Sequence, residues 1–472
     1  MSTIIKTFKT PMGNYIYDRE TNSILSVTQE QYEAFCRICK NAQTNEDVKV
    51  LNIFQDNGYC KDGIVEHIEH PQDKFLEFHL EKKVQKLTLQ VTQNCNLRCA
   101  YCCYTGEKYN NREHSNKTMP FEIMKQSVDF LMQHSTNSPK VDIGFYGGEP
   151  LLEFQKIRKL IGYIEERYPY KKITYSMTTN GTLFNTENIQ FLIEKNINVM
   201  ISLDGPRELH NINRVYANGQ GSFDKIMENL SFIKFNYPDF FKRIGFNTVI
   251  SPEVDFKCVN DFFAASEIIK DNNLRMGILN DYYLEKPVQY SELYFINYRI
   301  QRTKWLLWSL GFISKKNVSG MFTIETPRIL RMYKQLSTIN GLAKVTHPGG
   351  PCIPGAMRPM VDVNGNLYPC ERVSEESDIM KIGNIFTGFD INKARKILNP
   401  GKLTEEKCKN CWNFIYCGIC AAAADDTHQL IEKKRLEYCE RSMSSTLELF
   451  KTICLLKENN YDFENAEDGY YA

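Results

Sequence analysis

Thr92-Gln93-Asn94-Cys95-Asn96-Leu97-Arg98-Cys99-Ala100-Tyr101-Cys102 follows directly on the β-rich run Leu87–Val91. Three thiols so close together, on a loop after a strand, suit one corner of an iron–sulfur cubane: three irons are held and the fourth stays open. A small molecule needs that open iron if it is to chelate the cluster before an electron enters it. A zinc knuckle is the plain rival for such thiols. Strand-like runs recur at Val141–Tyr146, Ile173–Thr178, Val199–Leu203, Ile244–Ile250 and Leu274–Leu279, with amphipathic helical text between them. Six β/α repeats predict an α/β fold with a parallel sheet, open or closed into a partial barrel, and a site at the strand C-termini.

A chain of 472 residues suggests two to four domains of roughly 100–200 residues each. With 58 basic and 57 acidic side chains, no one-signed field points to nucleic acid or an anionic membrane. The stretch Met1-Ser2-Thr3-Ile4-Ile5-Lys6 lacks the pattern of a secretory signal, and no run of about 18 apolar residues predicts a membrane helix. A cytoplasmic protein is expected. In a reducing compartment, 16 cysteines fit metal or cluster ligation better than a disulfide framework.

The later strand tips carry small and polar residues. The second run ends in Gly147-Gly148-Glu149-Pro150, where missing side chains let a ligand approach and a carboxylate can accept from an amine. The third ends in Thr178-Thr179-Asn180-Gly181-Thr182 and the fourth in Ser202-Leu203-Asp204-Gly205-Pro206, with Arg214 beyond. Taken with the CxxxCxxC loop and its aromatic Tyr101, this order resembles the signature of the radical S-adenosylmethionine (SAM) superfamily. The resemblance implies a SAM-cleaving [4Fe–4S] cluster on Cys95, Cys99 and Cys102, with Cys103 a spare thiol. It also implies SAM contacts from Tyr101, Gly147, Gly148, Glu149, Thr179, Asn180, Ser202, Asp204 and Arg214. Glu149 would meet the amine, Thr179 and Asn180 the ribose side, and Ser202 and Arg214 the carboxylate.

Downstream, Cys352 is followed by Gly365, Asn366-Leu367-Tyr368-Pro369-Cys370, Cys408-Lys409-Asn410-Cys411, Cys417-Gly418-Ile419-Cys420 and Cys439. Two CxxC pairs alone would satisfy a zinc ribbon. The seven cysteines together resemble the SPASM extension of peptide-modifying radical SAM enzymes, departing from it in a final CxxC where CxxxC is usual. That resemblance implies two auxiliary [4Fe–4S] clusters, three in all. Cys352, Cys370 and Cys420 would hold the first, and Cys408, Cys411, Cys417 and Cys439 the second. The first is one ligand short, leaving an open iron suited to a substrate thiolate unless Cys258 or another group fills it. Cys36 and Cys39, on an amphipathic helical pattern, read as packed thiols.

Near the N-terminus, Gly13–Asp18 and Ser23–Val27 read as a hairpin, followed by helical patterns over Glu30–Lys40 and Glu46–Asp56. This winged-helix-like α+β unit resembles the RiPP recognition element, which implies capture of a precursor's leader peptide by strand addition. A nucleic-acid-binding winged helix is disfavoured by the lack of a dense basic helix. The expected domains are a recognition unit over 1–80, with a linker at His70–Lys74, a radical SAM core over 85–285 and a helical bridge over 286–346. A SPASM domain over 347–445 and a helix end with a loosely held acidic tail over 446–472 complete the chain. This order, with His347-Pro348-Gly349-Gly350-Pro351-Cys352 and Cys408-Lys409-Asn410-Cys411-Trp412, resembles maturases that install thioether links in Cys-rich peptides, the sactipeptide and ranthipeptide type. The resemblance implies a precursor peptide as substrate and an electron donor such as ferredoxin or flavodoxin. A carbon–carbon crosslinking maturase and an anaerobic sulfatase-maturating enzyme are the enzymatic alternatives. A non-enzymatic iron–sulfur carrier or scaffold would not need the strand-tip residues.

Overall fold

The structure, a computed structural model, describes residues 3–105, 110–251, 255–284, 286, 288–322, 325–338 and 341–466. At the N-terminus, β1 (Ile5–Lys9), β2 (Asn14–Asp18) and β3 (Ser23–Val27) form an antiparallel sheet in the order β1-β2-β3. The β2–β3 turn places Asn22 at φ 51°, a left-handed conformation that asparagine tolerates. Helices Gln29–Ile38 and Asn45–Asp56 each begin with a capping box, from Thr28 with Gln31 and from Thr44 with Asp47. They cover one sheet face, burying Phe35 and Cys60 against Ile5, Ile16 and Val27. The hairpin and both helices match the expectation, and β1 completes the sheet from a segment whose pattern had suggested no strand.

Residues 65–83 pack elsewhere. The expected linker is packed structure: His70 N donates to Asn399 Oδ1 at 2.8 Å, and β4 (His67–Ile68) pairs in parallel with Val345–Thr346. Helix Leu76–Lys82 buries Leu76 and Leu80 against Ala356, Ala394 and Leu398 of the Cys-rich region. Proline at 71 marks a turn rather than a break in packing, because the flanking apolar side chains still find a core.

The central sheet contains all six expected strands: β5 (Lys86–Thr92), β6 (Lys140–Gly147), β7 (Lys172–Thr179), β8 (Asn198–Ser202), β9 (Gly245–Ile250) and β10 (Leu274–Ile278). They pair in parallel in chain order from β5 to β10. Helices such as Phe121–Gln133, Phe154–Arg167 and Thr186–Glu194 cross between them and pack on the sheet through Leu131, Ile161 and Leu192. Beyond β11 (Val345–Thr346), the Cys-rich region adds β12 (Met360–Val361), β13 (Asn366–Tyr368), β14 (Gly383–Asn384) and β15 (Gly388–Phe389) to the β5 edge. With β12 parallel to β5, the strand that carries the cysteine loop is interior to a ten-stranded sheet. That accounts for the burial of β5 on both faces, from Leu87 to Thr92.

The bridge is helical over Glu292–Ser309 and Glu325–Thr338, and helix Cys439–Glu458 runs back to the N-terminal unit. Its Phe450 is fully buried, with its ring 4.6 Å from Tyr17, 5.4 Å from Tyr416 and 6.3 Å from Trp412. Near its end Glu458 Oε1 accepts from Tyr15 OH at 2.6 Å and Thr10 Oγ1 at 2.5 Å. The start of the expected loose tail is instead anchored, with Phe463 buried and stacked 4.0 Å from Tyr333; residues 467–472 lie outside the described residues. No helix among the described residues is long and apolar enough to cross a membrane. Phe450 is the common packing partner of three segments, so Phe450→Ala should destabilise by about 3–5 kcal/mol. Thermal unfolding should show a lower midpoint and proteolysis faster cleavage within residues 3–60, and an unchanged midpoint would refute this coupling.

Candidate functional site

The cysteine loop leaves β5 at Thr92 and is braced along its length. Arg98 N donates to Val215 O at 2.7 Å and Ala100 N to Asn213 O at 2.9 Å, so the loop lies against the segment that carries Arg214. Cys99 is buried, and Cys95 and Cys102 are half-buried. Burial pushes Cys95 up to about 12 and raises Cys99, and Cys102 is raised by its hydrogen bond with Cys103 and by burial. Adjacent thiols that resist ionisation alone become thiolates only where cationic metal supplies the opposing charge, which is the donor set a cubane requires. Among the described residues, no three His, Cys, Asp or Glu side chains stand close enough to hold a single ion. Thiolates on separate irons of a cubane stand farther apart than ligands at about 2.3 Å from one zinc.

Gly147 and Gly148 sit where β6 meets the cysteine loop. A Cβ on Gly147 would lie 2.2 Å from Thr92 O, and one on Gly148 would lie 2.0 Å from Asn94 O. In that space Gly148 N donates to Thr92 O at 2.8 Å and Glu149 N to Asn94 O at 2.9 Å. The glycines therefore admit the backbone of the cysteine loop. Gly147 also sits at φ 137°, which an L side chain would strain.

Glu149 is likewise occupied. Its buried carboxylate accepts from Leu151 N at 3.0 Å, Thr179 Oγ1 at 2.7 Å and Asn180 N at 2.7 Å. Burial raises its pKa while these donors oppose the shift. Three of about four lone-pair sites are filled from within the chain, so an amine would find one at most. Thr179 also accepts from Gly181 N at 3.1 Å. Asn180 Nδ2 donates to Asn96 Oδ1 at 2.8 Å, and Asn96 Nδ2 donates to Thr182 Oγ1 at 2.8 Å. The tips of β6 and β7 and the cysteine loop thus form one hydrogen-bonded unit.

Arg214 does not present a free fork. Its Nε donates to Asp204 Oδ2 at 2.7 Å and its Nη2 to Oδ1 at 3.4 Å, while Nη1 lies 4.0 Å from Cys99 Sγ. Tyr101 donates to the same Asp204 carboxylate and stacks 5.4 Å from the guanidinium. This buried pair holds a cation beside the Cys99 thiol. Ser202 ends β8, buried, with no side-chain partner among the described residues, and so keeps its hydroxyl available to a ligand.

In the Cys-rich region, Cys352 has Cys370 and Cys420 as thiol neighbours, and Cys411 has Cys408, Cys417 and Cys439. Burial raises Cys352 and Cys420 and pushes Cys411 up to about 11. The two sets meet through the Gly349–Gly350 turn: a Cβ on Gly349, at φ 70°, would lie 1.7 Å from Cys417 O. Cys258 is exposed on helix Phe256–Ala265, its Sγ 3.4 Å from Asp255 Oδ2. Cys36 lies 3.6 Å from Thr7 Oγ1, and Cys39 is exposed at the helix end.

Several residues without a motif of their own also build the site. Asn96 is one. Arg112 is another: fully buried, its Nη2 donates to Glu371 O at 2.7 Å and Val373 O at 3.1 Å, and its Nε sits 2.7 Å from Glu375 Oε1 as an ion pair. Its Nη1 lies 3.9 Å from Cys103, tying the cysteine loop to the segment after Cys370. His210 supports the turn from below, Nδ1 accepting from Asp204 N at 3.2 Å and Nε2 meeting Ser222 Oγ at 3.0 Å. Burial, helped by Arg214, holds His210 down to about 4, and burial holds His347 down to about 3. Unfolded histidine titrates near 6.5, so between roughly pH 6.5 and 4 the unfolded chain binds protons that the fold refuses. Stability should therefore fall as pH falls through that window, and His210→Gln should flatten the slope of thermal midpoint against pH. An identical slope in the variant would refute the assignment.

Residues 89–263 match the family described as the Radical SAM superfamily. The chain is 35% identical over 169 residues to an uncharacterized protein of Methanocaldococcus jannaschii, a match covering 36% of this chain and about half, 54%, of that protein. It is 26% identical over 354 residues to a cysteine-type anaerobic sulfatase-maturating enzyme of Clostridium perfringens, covering 71% of this chain and 88% of that one. It is also 22% identical over 456 residues to the radical SAM cyclopropyl synthase TigE of Paramaledivibacter caminithermalis, covering 90% of this chain and 86% of that one. Among solved structures, native anSMEcpe with bound AdoMet and Cp18Cys peptide superposes with a TM-score of 0.55 at 21% identity, over 78% of this chain and 99% of that one, and so shares the fold. A domain of this superfamily implies SAM and a [4Fe–4S] cluster, for which the buried thiol loop at the strand tips is chemically suited. The chain thus carries a radical SAM domain over residues 89–263 and is related to the anaerobic sulfatase-maturating enzymes.

Proposed function

We propose that this chain is a peptide maturase that links a cysteine sulfur to a carbon within a ribosomally made, Cys-rich precursor. The observation that carries the reading is the joining, in one packed body, of a small β-sheet unit, the thiol loop of the SAM domain and two further thiol sets. Cys95, Cys99 and Cys102 would hold the SAM-cleaving cluster, Cys352, Cys370 and Cys420 the first auxiliary cluster, and Cys408, Cys411, Cys417 and Cys439 the second. When bound, SAM and its cluster supply hydrogen-atom abstraction. The chain's own contribution is positional. Glu149, Thr179, Asn180 and Asn96 lock the strand tips to the loop, the Asp204–Arg214 pair sets a cation beside Cys99, and Ser202 offers a free hydroxyl.

Support for a peptide substrate comes from two places. The solved relative carries a bound peptide. Also, β3 pairs only with β2 among the described strands, leaving an edge for an added leader strand. A cavity of about 410 Å³ lies close by, lined by Arg328, Arg331, Gln335, Tyr416, Gly418 and Arg441 among others. Asn22 of the β2–β3 turn bonds to Gln335 O at 2.9 Å and to Tyr416 OH at 3.0 Å, so this cavity joins the recognition unit to the Cys417–Cys420 loop. An extended peptide entering along β3 would reach the cluster region through it. A small ferredoxin or flavodoxin is the proposed reductant.

Two other outcomes have specific support. The relation to sulfatase-maturating enzymes favours oxidation of a single cysteine, and the alignment with a cyclopropyl synthase over 90% of this chain favours carbon–carbon bond formation. Mass spectrometry of a Cys-rich precursor after anaerobic turnover separates them. A thioether gives loss of two hydrogens per link with the cysteine no longer alkylatable. A carbon–carbon link leaves the thiol free, and sulfatase-type oxidation removes sulfur; either product would overturn the proposal. The Cys95→Ala/Cys99→Ala/Cys102→Ala variant should lose SAM cleavage while keeping iron at the C-terminal sites. Retained SAM cleavage would remove the loop from its assigned role.

A further inference from the structure

Fully or nearly buried guanidinium groups recur in this chain, and most have a carboxylate against them. Arg19 has Glu20, Arg112 has Glu375 and Arg214 has Asp204. Arg435 does not. It is 1% exposed, on the short helix Glu432–Leu436, and no Asp or Glu among the described residues lies within ion-pair distance. Its hydrogen-bond partners among the described residues are neutral: Nε donates to Thr404 Oγ1 at 3.2 Å and Nη1 to Ile419 O at 2.9 Å. An unpaired buried cation costs several kcal/mol, so the fold at this position requires an anion that the amino-acid side chains, in their neutral states, do not supply.

The surroundings identify the anion by chemistry. Ile419, whose carbonyl accepts from Arg435, is bonded to Cys420, and Cys439 lies four residues beyond Arg435 in the chain. Thr404, which accepts from Arg435, lies with its Oγ1 3.1 Å from Cys408 Sγ. Cys420 belongs to one thiol set, Cys408 and Cys439 to the other. One guanidinium therefore sits between two sets of thiols, each of which becomes strongly anionic once it carries a cluster. We infer that Arg435 is the shared countercharge of the two auxiliary clusters, favouring their reduced, more negative states and holding their loops at a common junction. The inference rests on the reading of the seven cysteines as ligands of two clusters. Cluster potentials respond to local charge and hydrogen bonding, so the residue acts on electron affinity rather than on bond making.

The test uses full-length protein, reconstituted anaerobically, as wild type, Arg435→Met and Arg435→Lys. Iron and sulfide content and midpoint potentials are followed by EPR-monitored titration. Removing the charge in Arg435→Met should shift both auxiliary potentials downward while leaving the cluster on Cys95, Cys99 and Cys102 unmoved, and Arg435→Lys should stay near wild type. If Arg435→Met fails to load the C-terminal clusters and Arg435→Lys loads them, the charge is again the cause and the inference stands. Unmoved auxiliary potentials in Arg435→Met, or equal impairment in both variants, would overturn it. Wild-type protein that loads only one cluster would overturn the cluster reading itself, and the inference with it.

Discussion

Everything at the site depends on a backbone-to-backbone contact that only glycine permits. At Gly147 and Gly148 the tip of β6 meets the start of the cysteine loop so closely that any Cβ would overlap a carbonyl oxygen. Two hydrogen bonds, from Gly148 N and Glu149 N, close that contact. Glu149 then extends it to β7 through Thr179 and Asn180, and Asn180 returns it to the loop through Asn96. The thiol loop is therefore positioned by strands on which it does not itself lie. Preorganisation of this kind would matter for a cluster held by the loop, because its thiol ligands would be fixed relative to the strand tips in advance.

A second constraint is charge burial. The domain packs cations deep in its interior beside thiols, and each needs an opposing group. Where that group is a carboxylate it ties segments together: Asp204 holds both Arg214 and Tyr101 of the cysteine loop, and Glu375 joins Arg112 to the Cys-rich region. Such pairs contribute less to net stability than to a single defined arrangement, since an apolar replacement avoids their desolvation. Their presence around thiols is consistent with selection for geometry and potential. The extension of the central sheet by β12 to β15 has the same consequence, because it seals β5 and makes the cysteine loop the exit of an interior strand.

The relatives agree on the domain and differ in the chemistry that their names describe. A shared fold is compatible with that spread, since the reaction is decided by what the site excludes and holds in place rather than by the barrel. The N-terminal sheet and the cavity beside Tyr416 and Gly418 lie outside residues 89–263, the span that matches the superfamily.

Periodicity and spacing were enough to read the six core strands, the capped helices near the N-terminus and the cysteine groupings, because each depends on residues near one another in the chain. Short β-rich runs mark the strands, apolar spacing marks the helices near the N-terminus, and CxxxCxxC defines a loop that can wrap a cluster. What those residues touch was not legible. Glu149 is bonded within the chain by Leu151, Thr179 and Asn180, Arg214 by Asp204, and Gly148 lies against Asn94. Helix Leu76–Lys82 reads with the N-terminal unit and packs on the Cys-rich region, and Arg435 has no motif at all. The sequence by itself determined the local elements and the inventory of reactive groups. Only the tertiary structure decided which donor faces which acceptor, because a side chain's partners are set by contacts between strands and loops tens to hundreds of residues apart.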